Sequence, residues 1–110
     1  MLSFRHRFHG YNSLRGVYER GQTSRGQLVS LRYEQRQNKL NYRVAVVVSR
    51  KVNKSAVVRN RLRRRVYERV RLMSDLIPPG SDLVFTVYGD QLLDLSPEQL
   101  TDTIKKLIRV

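Results

Sequence analysis

Lys54-Ser55-Ala56-Val57-Val58-Arg59-Asn60-Arg61-Leu62-Arg63-Arg64-Arg65-Val66-Tyr67-Glu68-Arg69-Val70-Arg71 carries two patterns at once. Stepping about 100° per residue from Val58 gathers Leu62, Val66, Val70 and, just beyond the stretch, Met73 into one apolar arc. The opposite arc holds Asn60, Arg64 and Arg71, flanked by Arg61 and Tyr67. One face can anchor the helix to a core, while the other offers forked guanidinium donors that suit phosphate geometry. A solvated charged helix usually alternates signs, because Glu–Lys pairs at i,i+4 support it. Here Glu68 is the only acid in the stretch. The spacing predicts a helix over about 55–73 whose charge is offset by a polyanion.

The neighbouring segments supply a core for that helix. Tyr42-Arg43-Val44-Ala45-Val46-Val47-Val48-Ser49 is β-branched and apolar on both faces, which reads as a central strand covered on each side. Residues 27–34 alternate, with Val29, Leu31 and Tyr33 on one face and Leu28, Ser30 and Arg32 on the other. Residues 35–41 are polar and turn-like. Pro78-Pro79-Gly80 ends any helical continuation, and Asp82–Tyr88 reads as another strand, with Asp82 and Asp90 as bracketing turn residues. Ser96-Pro97-Glu98-Gln99 opens a last helix as a capping box, followed by a stripe of Leu100, Ile104, Leu107 and Ile108. Near the start, Asn12 or Ser13 caps a short helix bearing Leu14, Val17 and Tyr18, stopped by Gly21. Residues 1–10 read as a flexible basic arm. The order helix, strand, strand, helix, strand, helix is an α+β sandwich of a central sheet with helices, with residues 49–53 open to a short extra strand.

Composition sets the outer bounds. The 110 residues suit a single domain with one core, and 40% apolar content argues against disorder. The formal net charge is +13. It is uneven: residues 1–73 hold nineteen Lys/Arg against three acids, whereas residues 74–110 hold three against six. Such a balance points to nucleic acid or an anionic membrane as the partner, bound by the first two thirds of the chain. The absence of cysteine excludes disulfides, thiolate metal sites and a Cys nucleophile. The first ten residues lack the apolar run of a signal peptide, and no run approaches a membrane span. A soluble cytoplasmic protein without membrane contact is expected.

Catalytic chemistry finds little support. His6 and His9 have no nearby carboxylate to orient either ring. Asp75, Asp82, Asp90, Asp94, Glu98 and Asp102 are scattered, and nothing in their spacing requires the shared cleft of a two-metal nuclease. No glycine-rich phosphate loop or metal-spaced His/Cys set is present. No helix-turn-helix or zinc-finger organisation appears either. Aromatics near basic residues (Phe4, Phe8, Tyr11, Tyr18 and Tyr33) favour unpaired RNA, with Tyr18 and Tyr33 equally readable as core residues. The chain reads as a binder.

At Lys54-x-x-Val57-Val58-Arg59-Asn60-Arg61-Leu62-Arg63-Arg64 the sequence resembles the bacterial ribonuclease P protein subunit. That family places an Arg-Asn-Arg helix after a Val-rich strand and a Ser-Lys/Arg-Lys turn, here Val46-Val47-Val48-Ser49-Arg50-Lys51. Ser13–Gly21 is similar to the family's first helix, Ser81–Phe85 to its late strand and Leu95–Leu100 to the start of its final helix. The resemblance implies a left-handed β-α-β crossover, against the usual handedness. It implies a catalytic RNA partner and precursor tRNA as substrate, with the RNA and its Mg²⁺ removing the 5′ leader and no catalytic residue on this chain.

The resemblance also assigns residues. The RNA-contacting set is Arg50, Lys51, Lys54, Arg59, Asn60, Arg61, Arg63, Arg64, Arg65 and Arg71. A leader groove between the first helix and the sheet takes Leu14, Tyr18, Leu31 and Tyr33. Leu14 and Leu31 depart from the aromatics common there, and Tyr67 stands where Arg is common. A protein-bound metal, the stoichiometry and the RNA class stay open. The alternatives are a ribosomal-type structural RNA binder and a self-sufficient nuclease using the C-terminal carboxylates.

Overall fold

The computed structural model describes residues 11–35 and 41–108, with side chains from Arg15 onward in the first helix. The flexible arm expected at 1–10, most of the polar turn expected at 35–41 and the side chain of Leu14 lie outside the described residues. The elements are α1 (Tyr11–Arg20), β1 (Gln22–Arg25), β2 (Val29–Gln35), β3 (Arg43–Val48), α2 (Ala56–Leu72), β4 (Ser81–Val87) and α3 (Pro97–Ile108). Two 3₁₀ turns, Ser74–Leu76 and Asp90–Asp94, flank β4.

The strands form one sheet in the order β1-β2-β4-β3, with β3 and β4 parallel and the other pairs antiparallel. A parallel pair needs a crossover, and α2 provides it. The register aligns Leu31 with Phe85 and Phe85 with Val46. That alternation puts Val29, Leu31, Val44, Val46, Val48, Leu83, Phe85 and Val87 on one inner face. There they pack with Leu62, Val66 and Val70 of α2 and with Leu100, Ile104 and Leu107 of α3. Each such buried side chain contributes about 1.5–3 kcal/mol from burial.

The outer face carries Ser30, Arg32, Arg43, Asp82, Val84 and Thr86, and α1 lies against it. Arg32 fixes the helix there: its Nε donates to the Val17 carbonyl at 3.1 Å, and its Nη2 donates to the Tyr18 carbonyl. Val17 and Val84 are buried yet stand apart from the inner cluster, as a second small core requires.

Several expectations change in detail. The extra strand is β1, not residues 49–53, which form a turn closed by Val52 N–H on the Ser49 carbonyl at 3.1 Å. Gln22-Thr23-Ser24-Arg25 has no apolar alternation to announce it; pairing with β2 makes it a strand. β3 is an edge strand, and β2 and β4 are the strands paired on both sides. Val44, Val46 and Val48 of β3 serve the face covered by α2, and the Tyr67 hydroxyl accepts from the Val46 N–H at 3.2 Å, satisfying a donor of that strand. Gly21 does not end α1 through a left-handed turn, since only Gly80 has positive φ (80°) among the described glycines. Gly21 is there for close approach: a Cβ would stand 2.4 Å from the Val17 carbonyl oxygen and 2.8 Å from that of Tyr33. Asp82 is a β4 residue with 2% exposure rather than a turn residue.

Candidate nucleic-acid interface

The caps of α2 come from its own sequence. Ser55 accepts from Val58 N–H at 3.3 Å, and the helix ends at Leu72 with Met73 as its C-cap, one residue inside the expected span at each end. Ahead of it, the 49–55 turn is tied down at Asn53. Its Oδ1 accepts from Ser55 N–H at 2.8 Å and its Nδ2 donates to Asp90 Oδ2 at 3.0 Å. Arg59 donates from Nη1 to the carbonyls of Asn53 (3.0 Å) and Lys54 (2.9 Å). Arg50, Lys51 and Lys54 are therefore exposed on an organised turn.

The arginines of α2 divide by what they touch. Arg65 donates to the carbonyls of Leu93 and Leu95, tethering α2 to the segment before α3. Arg71 pairs with Glu68 across one helical turn, and its hydrogen bond holds the Glu68 carboxyl below its usual range. Asn60, Arg61 and Arg64 are exposed, Arg63 is half-buried, and none of the four bonds to a described side chain or carbonyl through its own side chain. These four, with the three turn cations, form the part of the expected set whose donors remain available. Arg59, Arg65 and Arg71 spend theirs within the protein.

The expected groove set does not converge. Tyr18 is 45% exposed on α1. Leu31 and Tyr33, in contrast, belong to the opposite sheet face. Leu31 is 1% exposed in the inner core, and Tyr33 packs against that core with its hydroxyl donating to Gln22 Oε1 at 2.9 Å. Period-2 alternation decides this: Arg32 reaches α1, so its neighbours at 31 and 33 point away. The α1 side of the sheet instead presents half-buried Ala45, Val47 and Thr86. Tyr88, 56% exposed, follows β4 on that side, its hydroxyl 2.8 Å from Ser30 Oγ. It shares the parity of Val84 and Thr86 along the strand, the sequence signal that marks its face.

Among the described residues, no three His, Cys, Asp or Glu gather to hold a metal ion. No described helix is long and apolar enough to cross a membrane.

A family model described as Ribonuclease P matches residues 2–110. This chain belongs to the ribonuclease P protein family. It is 32% identical over 96 residues to the ribonuclease P protein component of Rippkaea orientalis, covering 84% of this chain and 75% of that protein. The corresponding component of Chloroflexus aurantiacus is 46% identical over 67 residues, which is 61% of this chain and only 49% of that relative. In three dimensions the fold matches the Staphylococcus aureus RNase P protein with a TM-score of 0.80 at 16% identity, covering 94% of this chain and 93% of that one. The Thermotoga maritima RNase P protein gives 0.76 at 21% identity, covering 88% and 90%. The mixed α+β sheet-and-helix architecture is thus that of ribonuclease P proteins.

Proposed function

We propose that this chain is the RNA-binding subunit of the ribonuclease P endoribonuclease, gripping a catalytic RNA through α2 and the turn before it. One observation carries the reading: Asn60, Arg61 and Arg64 stand exposed and without partners among the described residues, on a helix whose other face is buried. Each phosphate neutralised there releases counterions, so affinity falls steeply with salt. Precursor tRNA is the proposed substrate, its 5′ leader passing along the outer sheet face by Tyr18. Contact with a leader that the mature product lacks favours substrate over product.

The chemistry belongs to the RNA in this reading, where Mg²⁺ would activate water and stabilise the leaving oxygen. This chain's part is charge neutralisation and positioning, and its described residues form no metal cluster. A cytoplasmic setting accords with the absence of cysteine. A ribosomal-type structural role is not favoured, given the family match over residues 2–110.

Arg61→Ala and Arg64→Ala are each expected to weaken binding of the catalytic RNA without altering the fold. Each should reduce the magnitude of the logarithmic salt slope by about 1. Filter binding across a salt series measures this, and an unchanged affinity and slope in both variants contradicts the assignment.

Tyr18→Ala is expected to weaken precursor-tRNA binding to the assembled complex by about 1–3 kcal/mol through loss of base stacking. Mature tRNA should be almost unaffected, and Tyr18→Phe should bind the precursor nearly normally. Equal losses for the two tRNAs would refute the leader contact.

A further inference from the structure

Four buried polar side chains, Ser24, Ser30, Ser81 and Asp82, lie in the described part of the fold. Ser30 bonds Tyr88, Ser81 donates to Gln35 Oε1 at 3.1 Å, and Asp82 holds Arg43. Ser24 is different. It is 7% exposed, it faces inward opposite Leu31, and its hydroxyl bonds no described residue. A buried hydroxyl left without a partner costs free energy, so such a group calls for a ligand or ordered water.

Ser24 opens into a cleft of about 390 Å³ between the β1–β2 hairpin and α3. Leu28, Leu95 and Leu107 supply apolar walls, while Arg25 and the exposed Lys106 add positive charge to the lining. Neither cation pairs with a described acid. The size falls within the ~300–1,000 Å³ range of small-ligand sites, and an apolar slot with a few convergent polar groups is their usual make-up. None of the lining residues comes from α1 or α2.

We infer that this cleft takes one unpaired nucleotide of the bound RNA. The base lies between the leucines with its edge toward the Ser24 hydroxyl, and the phosphate meets Arg25 and Lys106. Splayed-out bases held between apolar walls and read at their edges are a general mode of RNA recognition. The source of the nucleotide rests on the proposed RNA-binding role; the chemistry of the cleft does not.

The test titrates the full chain with the four nucleoside 5′-monophosphates, ribose 5-phosphate and inorganic phosphate, following backbone amide resonances. At least one nucleoside monophosphate should shift Ser24, Leu28, Thr103 and Leu107 saturably, and bind about tenfold more tightly than ribose 5-phosphate. Ser24→Val removes the hydroxyl and suits a strand. Thr103→Phe closes the cleft from the helix side and leaves β1 untouched. Both should cut nucleotide affinity about tenfold and weaken binding of the catalytic RNA. No saturable shift, equal affinity for ribose 5-phosphate, or unchanged nucleotide binding in both variants overturns the site. Nucleotide binding without any change in RNA affinity overturns the RNA as its source. Arg61→Ala separates the two readings: it should weaken RNA binding and leave the nucleotide titration as it was. Failure of Arg61→Ala to affect RNA counts against the α2 grip, not against the cleft.

Discussion

Leu62→Ala should destabilise the fold by about 2–5 kcal/mol, the range for truncating a buried leucine. Leu62 is completely buried, and it sits midway along α2 with Val66 and Val70 on the same stripe. Those neighbours are β-branched and held in one helical rotamer, so they fill a void poorly. The helix also bridges two parallel strands and contacts α3, which limits its freedom to collapse inward. With a urea dependence of about 1–3 kcal/mol/M, the unfolding midpoint should fall by roughly 1 M or more. Leu62→Met, which nearly conserves volume, should cost less than about 1.5 kcal/mol. The neighbouring substitution Arg61→Ala should leave the midpoint in place. An unshifted midpoint in Leu62→Ala would mean that α2 presents a different face to the sheet.

Asp82→Ala should be the next most damaging change, at about 3 kcal/mol. Asp82 accepts from Arg43 Nε at 2.9 Å and from Nη2 at 2.7 Å, a two-pronged pair between directly opposed residues of β3 and β4. The same hydrogen bond, more than the bare charge, holds the Arg43 guanidinium above its ordinary range. Breaking a buried pair costs about 3–5 kcal/mol. Arg43 keeps 23% side-chain exposure and can turn partly to water, which places the effect near the lower end. Asp82→Asn retains an acceptor and should lose less. Burial shields the pair from ions, so the loss should persist in high salt, unlike that of a surface pair. A thermal midpoint shift of Asp82→Ala that vanished at high salt would contradict this account.

The parts of the fold that could be read from sequence are those where local chemistry and packing agree. The α2 stripe and the capping box at Ser96 and Gln99 are of this kind. In the capping box, Ser96 N–H donates to Gln99 Oε1 at 2.9 Å and Gln99 N–H to Ser96 Oγ at 3.1 Å. What stayed hidden depends on pairing across the sheet. Gln22–Arg25 is a strand because β2 lies beside it, and Asp82 is buried because Arg43 stands opposite. The same limit separates Tyr18 from Leu31 and Tyr33. Alternation along β2 told which residues share a face, but not which face α1 would cover; the Arg32 contacts with α1 decide that. On α2, charge alone could not distinguish Arg61 and Arg64 from Arg65, whose donors go to the Leu93 and Leu95 carbonyls.

In the proposed function this chain assists a catalytic RNA and performs no cleavage itself. The most direct test is a reconstitution in which precursor tRNA is incubated with RNA-free protein, with the catalytic RNA alone, and with both at limiting Mg²⁺. The protein alone should release no 5′ leader, and the assembled complex should release it faster than the RNA alone. Leader release by the RNA-free protein, or no gain on adding it to the RNA, would rule out this division of labour.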